Sequence, residues 1–335
     1  MPTDRPYAAL AMSPQAAAAV FDRGAMAALR KVCEVAPSPV LDDFGTPRAR
    51  EVLARVDVLV TGWGCPPVDE AVLQAAPRLK AIVHTAGSVR GHVTDACWAR
   101  GIEVTSAAAA NALPVAEYTV AMILLSGKRV LERAMDYREK RRPEPSLSTP
   151  KDVGNFGRTV GILSASLIGR RVAELLRPYD LRLLLHDPSL SEEEAAVLGV
   201  QPVGLRELFT RSDVVTVHTP LLPDTRGVVS RELLGMMRPD SVLINTSRGA
   251  VVDQDALVQE AGRIRVILDV TDPEVLPPDH PLWDNSDVLI TPNLAGSQGN
   301  EFGRLANTAI AELDRWVSGA GFAHPVRKDR LGFLA

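Results

Sequence analysis

The segment from residue 159 to 169 joins a β-branched run to a turn of small residues. It reads Thr-Val-Gly-Ile-Leu-Ser-Ala-Ser-Leu-Ile-Gly, and Asp187 follows Gly169 by 18 residues. In a dinucleotide-binding unit, such a turn and the helix after it bind a pyrophosphate, and the acid accepts hydrogen bonds from a ribose. The candidate cofactor residues of this segment are Ser164, Ser166, Leu167, Ile168, Gly169 and Asp187.

The turn departs from the glycine fingerprint of dinucleotide-binding proteins. G-x-G-x-x-G is replaced by Ser164-x-Ser166-x-x-Gly169. The first glycine normally forms the turn and the second lets the backbone approach phosphate. A serine hydroxyl can donate to phosphate, so we expect NAD binding to be weakened or rearranged, with NADH preferred over NADPH because Asp187 repels a 2′-phosphate. A strand-turn-helix without any nucleotide remains the alternative from this segment alone.

Alternating patterns along the middle of the chain predict the elements that position these residues. Short apolar runs without polar alternation are separated by amphipathic stretches, which indicates a parallel sheet covered on both faces. The capping box Ser191-x-x-Glu194 marks one helix start. Predicted strands are 158–163, 181–187, 214–219, 241–246, 265–270 and 287–291, and predicted helices are 167–176, 191–198, 205–210, 230–237 and 254–261.

The first 110 residues repeat this α/β pattern on a smaller scale. Strands are predicted at 31–35, 56–61, 79–84 and 103–105, and a long helix from Pro114 towards Arg141, followed by a loop over 142–151. A last amphipathic helix at 301–317 is expected to return to the first domain. We therefore predict two doubly wound α/β domains with a cleft between them: a discontinuous substrate domain, 1–112 plus 300–335, and a dinucleotide-binding domain, 113–299.

Composition limits the function classes. The 335 residues carry a net charge of −4, which argues against a nucleic-acid-binding surface. The three cysteines are scattered, so we expect no metal site and no disulfides. The N-terminus lacks a signal-peptide pattern, and the most apolar run, 115–125, contains Glu117 and is too short to cross a bilayer. We therefore expect a cytoplasmic protein without nucleic-acid or membrane partners.

Further motifs carry a resemblance to a known family. They read VHTAGSVRG at 83–91, NALPVAEYT at 111–119, VVTVHTPLLPDTRG at 214–227, SVLINTSRGAVV at 241–252, LDVTDPEVLP at 268–277 and TPNLAGS at 291–297. Their order and spacing resemble the D-2-hydroxyacid dehydrogenase family over nearly the whole chain, and the Asn-Thr-x-Arg-Gly block is the most specific of them.

The resemblance implies roles for individual residues. Arg248 matches the arginine that binds the substrate carboxylate and polarises its carbonyl, for which a planar guanidinium is suited. Glu274 matches the acid that pairs with the catalytic histidine, and Asp269 a residue near the nicotinamide. Thr219, Thr225 and Thr246 match residues that line the cofactor, and Ser88, Val89 and Asn111 match residues that contact the substrate.

The resemblance also implies a homodimer, because relatives commonly form homodimers through the long helices of the cofactor domain.

The family's Thr-Pro-His is replaced here by Thr291-Pro292-Asn293. The histidine of relatives exchanges a proton with the substrate oxygen, which an amide cannot do at pH 7. Loss of a general acid costs about 10²–10⁴ in rate. His84, His92 and His218 are the histidines whose positions in the sequence could let them substitute for it.

Three functions follow from these observations. The first is an NAD-dependent oxidoreductase on a small 2-oxo or 2-hydroxy acid, with impaired or altered proton transfer. The second is a catalytically degenerate protein that binds NAD(H) or a carboxylate. The third is a family fold recruited to a non-redox reaction on a carboxylate that Arg248 still binds.

Overall fold

A computed structural model describes residues 5–37, 40–142, 147 and 149–333. The chain divides into two compact units. One consists of the residues up to Asn111 together with those from Ser297 onward, and the other is Ala112–Gly296. We call them unit 1 and unit 2 and describe each by itself.

Unit 1 contains a five-stranded parallel sheet in the order β2-β1-β3-β4-β5. This is a flavodoxin-like, doubly wound order. The strands are β1 (Tyr7–Ala11), β2 (Glu34–Val35), β3 (Val58–Thr61), β4 (Ala81–His84) and β5 (Glu103–Ser106). The helices are α1 (Pro14–Val20), α2 (Arg23–Val32), α3 (Pro47–Leu53), α4 (Glu70–Ala75) and α5 (Asp95–Ala99).

Two apolar clusters cover the two faces of this sheet. One contains Leu59 of β3 and Ile82 of β4 together with Val72 and Leu73 of α4. The other includes residues of α1 and α2 together with the helix that follows unit 2, Phe302–Val317. As predicted, this last helix therefore returns to the first domain.

Unit 2 contains a seven-stranded parallel sheet in the order β12-β11-β10-β9-β6-β7-β8. The order reverses between β6 and β9, so this is a Rossmann-type sheet whose ligand crevice lies outside the carboxyl ends of the strands. The strands are β6 (Thr159–Leu163), β7 (Arg182–His186), β8 (Gln201–Pro202), β9 (Val214–Val217), β10 (Val242–Asn245), β11 (Arg265–Leu268) and β12 (Val288–Ile290). The helices, in chain order, are α6 (Ala108–Gly127), α7 (Val130–Lys140), α8 (Leu167–Leu176), α9 (Glu192–Leu198), α10 (Leu205–Arg211), α11 (Arg231–Met236), α12 (Gln254–Glu260) and, in unit 1, α13 (Phe302–Val317).

The prediction of one helix from Pro114 to Arg141 is wrong. Helix α6 begins six residues earlier, with Pro114 inside it, and a break at Arg129, whose φ is +52°, separates it from α7. Among the described residues, α6 is the one helix long and apolar enough to cross a membrane by length and composition. Core helices pass the same test, and its residues Ala116, Val120 and Ile123 pack in an apolar cluster of unit 2.

Other differences concern short strands. β1 and β8 were not predicted, because the Ala-rich β1 and the two-residue β8 lack a β-branched run. Lys31 and Val32, predicted as strand, end helix α2 instead. The loop predicted over 142–151 lies partly outside the described residues.

Candidate functional site

The turn after β6 is shaped by an interaction between Ser164 and Asp187. Ser164 has φ +84°, a left-handed conformation that glycine adopts more readily than other residues. Its hydroxyl donates to Oδ2 of Asp187 over 3.1 Å, and the amide of Ala165 donates to the same oxygen over 2.8 Å. The serine hydroxyl is therefore directed to the protein's own carboxylate.

The other oxygen of Asp187 is also engaged. Ser189 donates to Oδ1 from its amide over 2.8 Å and from its hydroxyl over 2.7 Å. Burial of the carboxyl raises its pKa, but the bonds from Ser189, Ala165 and Ser164 outweigh this, and the pKa of Asp187 lies below its usual value. Asp187 is thus a carboxylate with donors on both oxygens.

Ser166 and Gly169 shape the start of helix α8. Ser166 caps this ten-residue helix, and its hydroxyl accepts from the Gly169 amide over 3.3 Å. A Cβ on Gly169 would lie 2.0 Å from the carbonyl oxygen of Ser164, so the third fingerprint position requires glycine. The amides of Leu167 and Ile168 lie in the first turn, where an anion is stabilised by the helix dipole.

Buried polar groups follow strand β9, which neighbours β6 across the switch point. Thr219 is 8% exposed, and its hydroxyl has no hydrogen-bond partner in the described part of the chain. His218 bonds Thr216 Oγ1 through Nε2 over 3.0 Å, while its buried Nδ1 likewise lacks a partner there. Such orphaned groups are typical of sites that complete their bonding with a ligand.

These residues fit a dinucleotide in part. The α8 N-terminus, Gly169, Asp187 and the orphaned Thr219 hydroxyl together supply a close backbone approach, amides and polar partners. Ser164 and Ser166 leave fewer hydrogen-bonding groups for a ligand. Ser164 already donates to one oxygen of Asp187, and Ser166 already accepts from the Gly169 amide.

Two other predicted cofactor residues use their hydroxyls internally. Thr225 Oγ1 donates to Pro220 O over 2.6 Å and accepts from the Leu222 amide over 2.8 Å, closing the turn after β9. Thr246 Oγ1 lies 3.2 Å from Thr119 Oγ1 on α6.

Arg248 lies three residues beyond β10, in a turn fixed by Asn245. The Asn245 amide accepts from the backbone amide and the hydroxyl of Ser247 over 3.0 and 2.8 Å, and donates to Arg248 O over 3.0 Å. A Cβ on Gly249 would lie 2.0 Å from the carbonyl carbon of Thr271, so the arginine precedes a position restricted to glycine. The Arg248 side chain is exposed, and its Nη1 donates to Ser247 O over 2.6 Å.

Asp269, directly after β11, organises the loop that carries Asn293. Its buried carboxylate accepts from Thr291 Oγ1 over 2.6 Å and from the amides of Leu294 and Ala295 over 2.8 and 2.9 Å. Its carbonyl oxygen accepts from the Asn293 amide over 3.0 Å. Asn293 is exposed with φ +50°, a conformation that asparagine and histidine tolerate better than most residues.

Tyr118 extends this network and was missed by the sequence reasoning. Its hydroxyl lies 2.8 Å from Thr291 Oγ1; since Thr291 donates to Asp269, Tyr118 donates to Thr291. Burial raises the pKa of Tyr118, a rise that the bond to Thr291 only partly offsets. The segment NALPVAEYT was recognised as a motif, but nothing in it shows that its tyrosine reaches the loop after β12.

The carboxylate of Glu274 has a different environment. The residue is exposed five positions after Asp269, and its backbone oxygen accepts from Thr271 Oγ1 over 2.9 Å. Within the described ranges, no hydrogen bond or ion pair reaches its carboxylate.

The predicted substrate residues of unit 1 lie in two places, after strand β4 and at the boundary with unit 2. Ser88 and Val89 follow β4, Ser88 half-buried and Val89 buried. Asn111 precedes the boundary with unit 2, and its side-chain oxygen accepts from the Ser297 amide over 3.2 Å, so it joins the two ends of unit 1.

The candidate replacement histidines are neutral. Burial lowers the pKa of His84 and His218 to about 3 and that of His92 to about 4. His84 and His92 both bond the hydroxyl of Thr61, over 2.9 and 3.0 Å. At pH 7 none of these residues is an imidazolium, the protonated form that the resemblance assigns to the family's catalytic histidine.

Comparison with known proteins identifies the family of this chain. Residues 120–295 match the family described as D-isomer specific 2-hydroxyacid dehydrogenase, NAD binding domain. A glyoxylate reductase of Korarchaeum cryptofilum is 31% identical over 280 residues, which are 81% of this chain and 83% of that protein. A D-3-phosphoglycerate dehydrogenase of Mycobacterium bovis is 32% identical over 251 residues, 74% of this chain and 47% of that protein.

The chain thus spans about half the length of the first curated relatives it matches. Among solved structures, a phosphoglycerate oxidoreductase from Rhizobium etli superimposes with a TM-score of 0.80 at 23% identity, covering 97% of this chain and 99% of that one, which shows the shared fold. With the family match over more than half of the sequence, the chain belongs to the D-isomer specific 2-hydroxyacid dehydrogenase family.

Proposed function

We propose that this protein is an NAD(H)-dependent oxidoreductase that acts at C2 of a small 2-oxo or 2-hydroxy acid, with slow proton transfer to oxygen. The observation that carries the proposal is the carboxyl edge of the unit 2 sheet. Along this edge, Asp187, Arg248 and the Asp269–Asn293 loop follow parallel strands of one sheet whose order is that of dinucleotide-binding folds.

The cofactor part of the proposal assigns the dinucleotide to the β6–β9 side of this edge. The amides of Leu167 and Ile168 would hold the pyrophosphate, and the hydroxyl of Thr219 would gain its partner there. A bound dinucleotide would supply the hydride. The charge of Asp187 favours NADH over NADPH, because a 2′-phosphate would be placed against a carboxylate.

The substrate part of the proposal begins with Arg248. Its guanidinium would bind the carboxylate through two parallel bonds. For unit 1, the family resemblance alone supports Ser88, Val89 and Asn111 as substrate-binding residues. Asn293 would hold the reacting oxygen by a hydrogen bond but supply no proton. We expect carbonyl reduction to be slower by about 10²–10⁴ than with a general acid present.

We further propose that the protein is a homodimer. Met135 and Tyr137 on α7 are 68% and 61% exposed, and only a third of the apolar window of α6 is buried within the chain. A second copy would cover this surface. Light scattering should give twice the 36.0 kDa chain mass, and the charge-introducing variant Met135→Glu should lower it.

A non-redox binding protein is the second candidate. It is favoured by Ser164 and Ser166, whose hydroxyls are used within the protein, and by Asn293 in place of an acid. This reading predicts that a carboxylate or nucleotide binds without turnover.

The two candidates are separated by titration with NADH, NADPH and NAD, followed by turnover of glyoxylate, pyruvate and bulkier 2-oxo acids. We expect tighter binding of NADH than NADPH and slow, measurable reduction of at least one acid. Binding without any turnover supports the second candidate. Equal affinity for NADH and NADPH contradicts the role of Asp187, and no affinity for either contradicts the proposed function.

A further inference from the structure

We propose that the preferred substrates are 2-imino acids, formed from a 2-oxo acid and ammonia or a primary amine, rather than the 2-oxo acids themselves. The inference rests on the proposed function, since it places the same hydride transfer at the same edge of unit 2. It concerns which double bond, C=O or C=N, this chain's residues can help to reduce.

The two double bonds differ in what they require of the protein. Hydride transfer to a 2-oxo acid puts negative charge on oxygen, so an acid must deliver a proton in the transition state. The iminium form of a 2-imino acid already carries its proton on nitrogen. Hydride then forms the C–H bond at C2, the C=N π electrons become the lone pair of a neutral amine, and the reduced dinucleotide is oxidised. The amine takes a proton from water afterwards.

Asn293 suits the iminium better than the carbonyl. Its side chain offers an acceptor, Oδ1, which an iminium N–H can use and a carbonyl oxygen cannot. The amide is neutral, whereas an imidazolium in the same place would repel a cation. The residue is held by its backbone bond to Asp269 O and by the bonds from Leu294 and Ala295 to the Asp269 carboxylate, so the loop is fixed without a histidine.

The carboxylates that follow β11 also favour an iminium over a carbonyl. Glu274 and Asp269 follow β11, and β12 pairs with β11 in the same sheet. Asp269 is engaged by three donors, while the Glu274 carboxylate carries no bond from the described residues. In the family pattern this acid pairs with the histidine that is absent here. Beside a bound substrate, a carboxylate without that partner would stabilise a cationic C=N⁺ group and would not stabilise a neutral carbonyl.

Two groups of unit 2 do not serve as proton donors. His218 is neutral and buried. Tyr118 uses its hydroxyl proton in the bond to Thr291. Arg248 is suited to a carboxylate, so a molecule with a carboxylate at one end and an iminium beside it matches the charges of Arg248 and Glu274.

The test uses the full chain with NADH and three mixtures: pyruvate alone, pyruvate with methylamine, and pyruvate with trimethylamine at equal concentration and pH. Trimethylamine is a matched control, because it is a base of similar kind that cannot form a C=N bond. We expect methylamine to raise NADH oxidation about tenfold or more, with N-methylalanine as the product by mass spectrometry, and trimethylamine to have no effect. A cyclic imine, Δ1-piperideine-2-carboxylate, should be reduced without added amine.

Two variants sharpen the result. Asn293→His should raise reduction of pyruvate alone and lower the methylamine-dependent rate. Glu274→Gln, at an exposed position that should not disturb folding, should lower the imine rate more than the oxo-acid rate. An equal loss of both rates in Glu274→Gln contradicts the charge argument.

The outcomes separate this inference from the proposed function. Reduction of pyruvate at the same rate with and without methylamine, giving only lactate, overturns the inference and leaves the proposed function intact. Absence of NADH binding, or binding without turnover of any mixture, overturns both.

Discussion

The loops after β6 and β12 carry the two departures inferred from the sequence resemblance, the serines at 164 and 166 and Asn293, and their side chains are held in different ways. After β6, both serines use their hydroxyls within the protein. The Ser164 hydroxyl donates to Asp187, and the Ser166 hydroxyl caps α8. After β12, the loop is held by bonds from Thr291 and Ala295 to the Asp269 carboxylate, and its residue 293 carries an amide.

The comparison separates binding from proton transfer. A polar side chain in a turn finds partners nearby, so the serines change the strength of cofactor binding without removing its framework. Proton exchange depends on one functional group with a suitable pKa, and no hydrogen-bond rearrangement can supply it. Drift at the first loop is therefore compensated locally, whereas the change at Asn293 alters which reaction is feasible.

The largest effect is expected from Asn293→His. Histidine tolerates the φ of +50° and restores a proton donor, so reduction of a 2-oxo acid should rise at least about tenfold and by up to 10²–10⁴. Initial rates with saturating NADH give the comparison, and NADH affinity should stay unchanged. An unchanged rate with intact NADH binding would show that a histidine at position 293 does not donate a proton to the substrate in this protein.

The next effect concerns Gly169. In Gly169→Ala the new Cβ would lie 2.0 Å from Ser164 O, so the turn must move and NADH affinity should fall at least about tenfold, equivalent to 1.4 kcal/mol. Gly235→Ala in α11 is the control, because the nearest atom to its Cβ is 4.0 Å away. Isothermal titration measures both. Equal affinities in the two variants would mean that the dinucleotide does not use this turn.

A smaller effect should follow from replacing the two serines by glycine. Ser164→Gly relieves the left-handed φ and removes one of the two donors on Asp187 Oδ2, and Ser166→Gly frees the Gly169 amide, so NADH affinity should tighten by roughly three- to tenfold, about 1 kcal/mol. Ser230→Gly, which removes the cap of α11 in the same unit, should leave affinity unchanged. Unaltered affinity in the double variant would show that the serines are fully compatible with the cofactor.

The remaining prediction concerns stability against pH rather than cofactor affinity or rate. His84, His92 and His218 have folded pKa values of about 3 to 4, below the ordinary 6.5, so the unfolded chain binds more protons between pH 4 and 6.5. The free energy of unfolding should therefore fall as pH is lowered through this window. Urea midpoints at pH 7.5 and 5 measure the fall, and His218→Gln should reduce it. Identical midpoints at both pH values would contradict the neutral state of these histidines.

Sequence patterns predict most of the helices and strands, because the spacing of apolar residues involves only neighbours along the chain. Helix α8 has the predicted bounds, and the capping box at Ser191 and Glu194 is present. The Pro114 prediction failed because the preceding residues, 108–113, are Ala-rich and continue the helix backwards. The partners of Ser164 and Tyr118, by contrast, depend on side chains 23 and 173 residues away, which no spacing in the sequence shows.

Transfer of label from the dinucleotide to the product tests the central claim most directly. With NADH carrying deuterium at C4, on each face in turn, and pyruvate with and without methylamine, mass spectrometry reads the label at C2 of the product acid. We expect one deuterium at C2 from one face only, whether the product is a hydroxy or an amino acid. Tight NADH binding with no label in any product would contradict it.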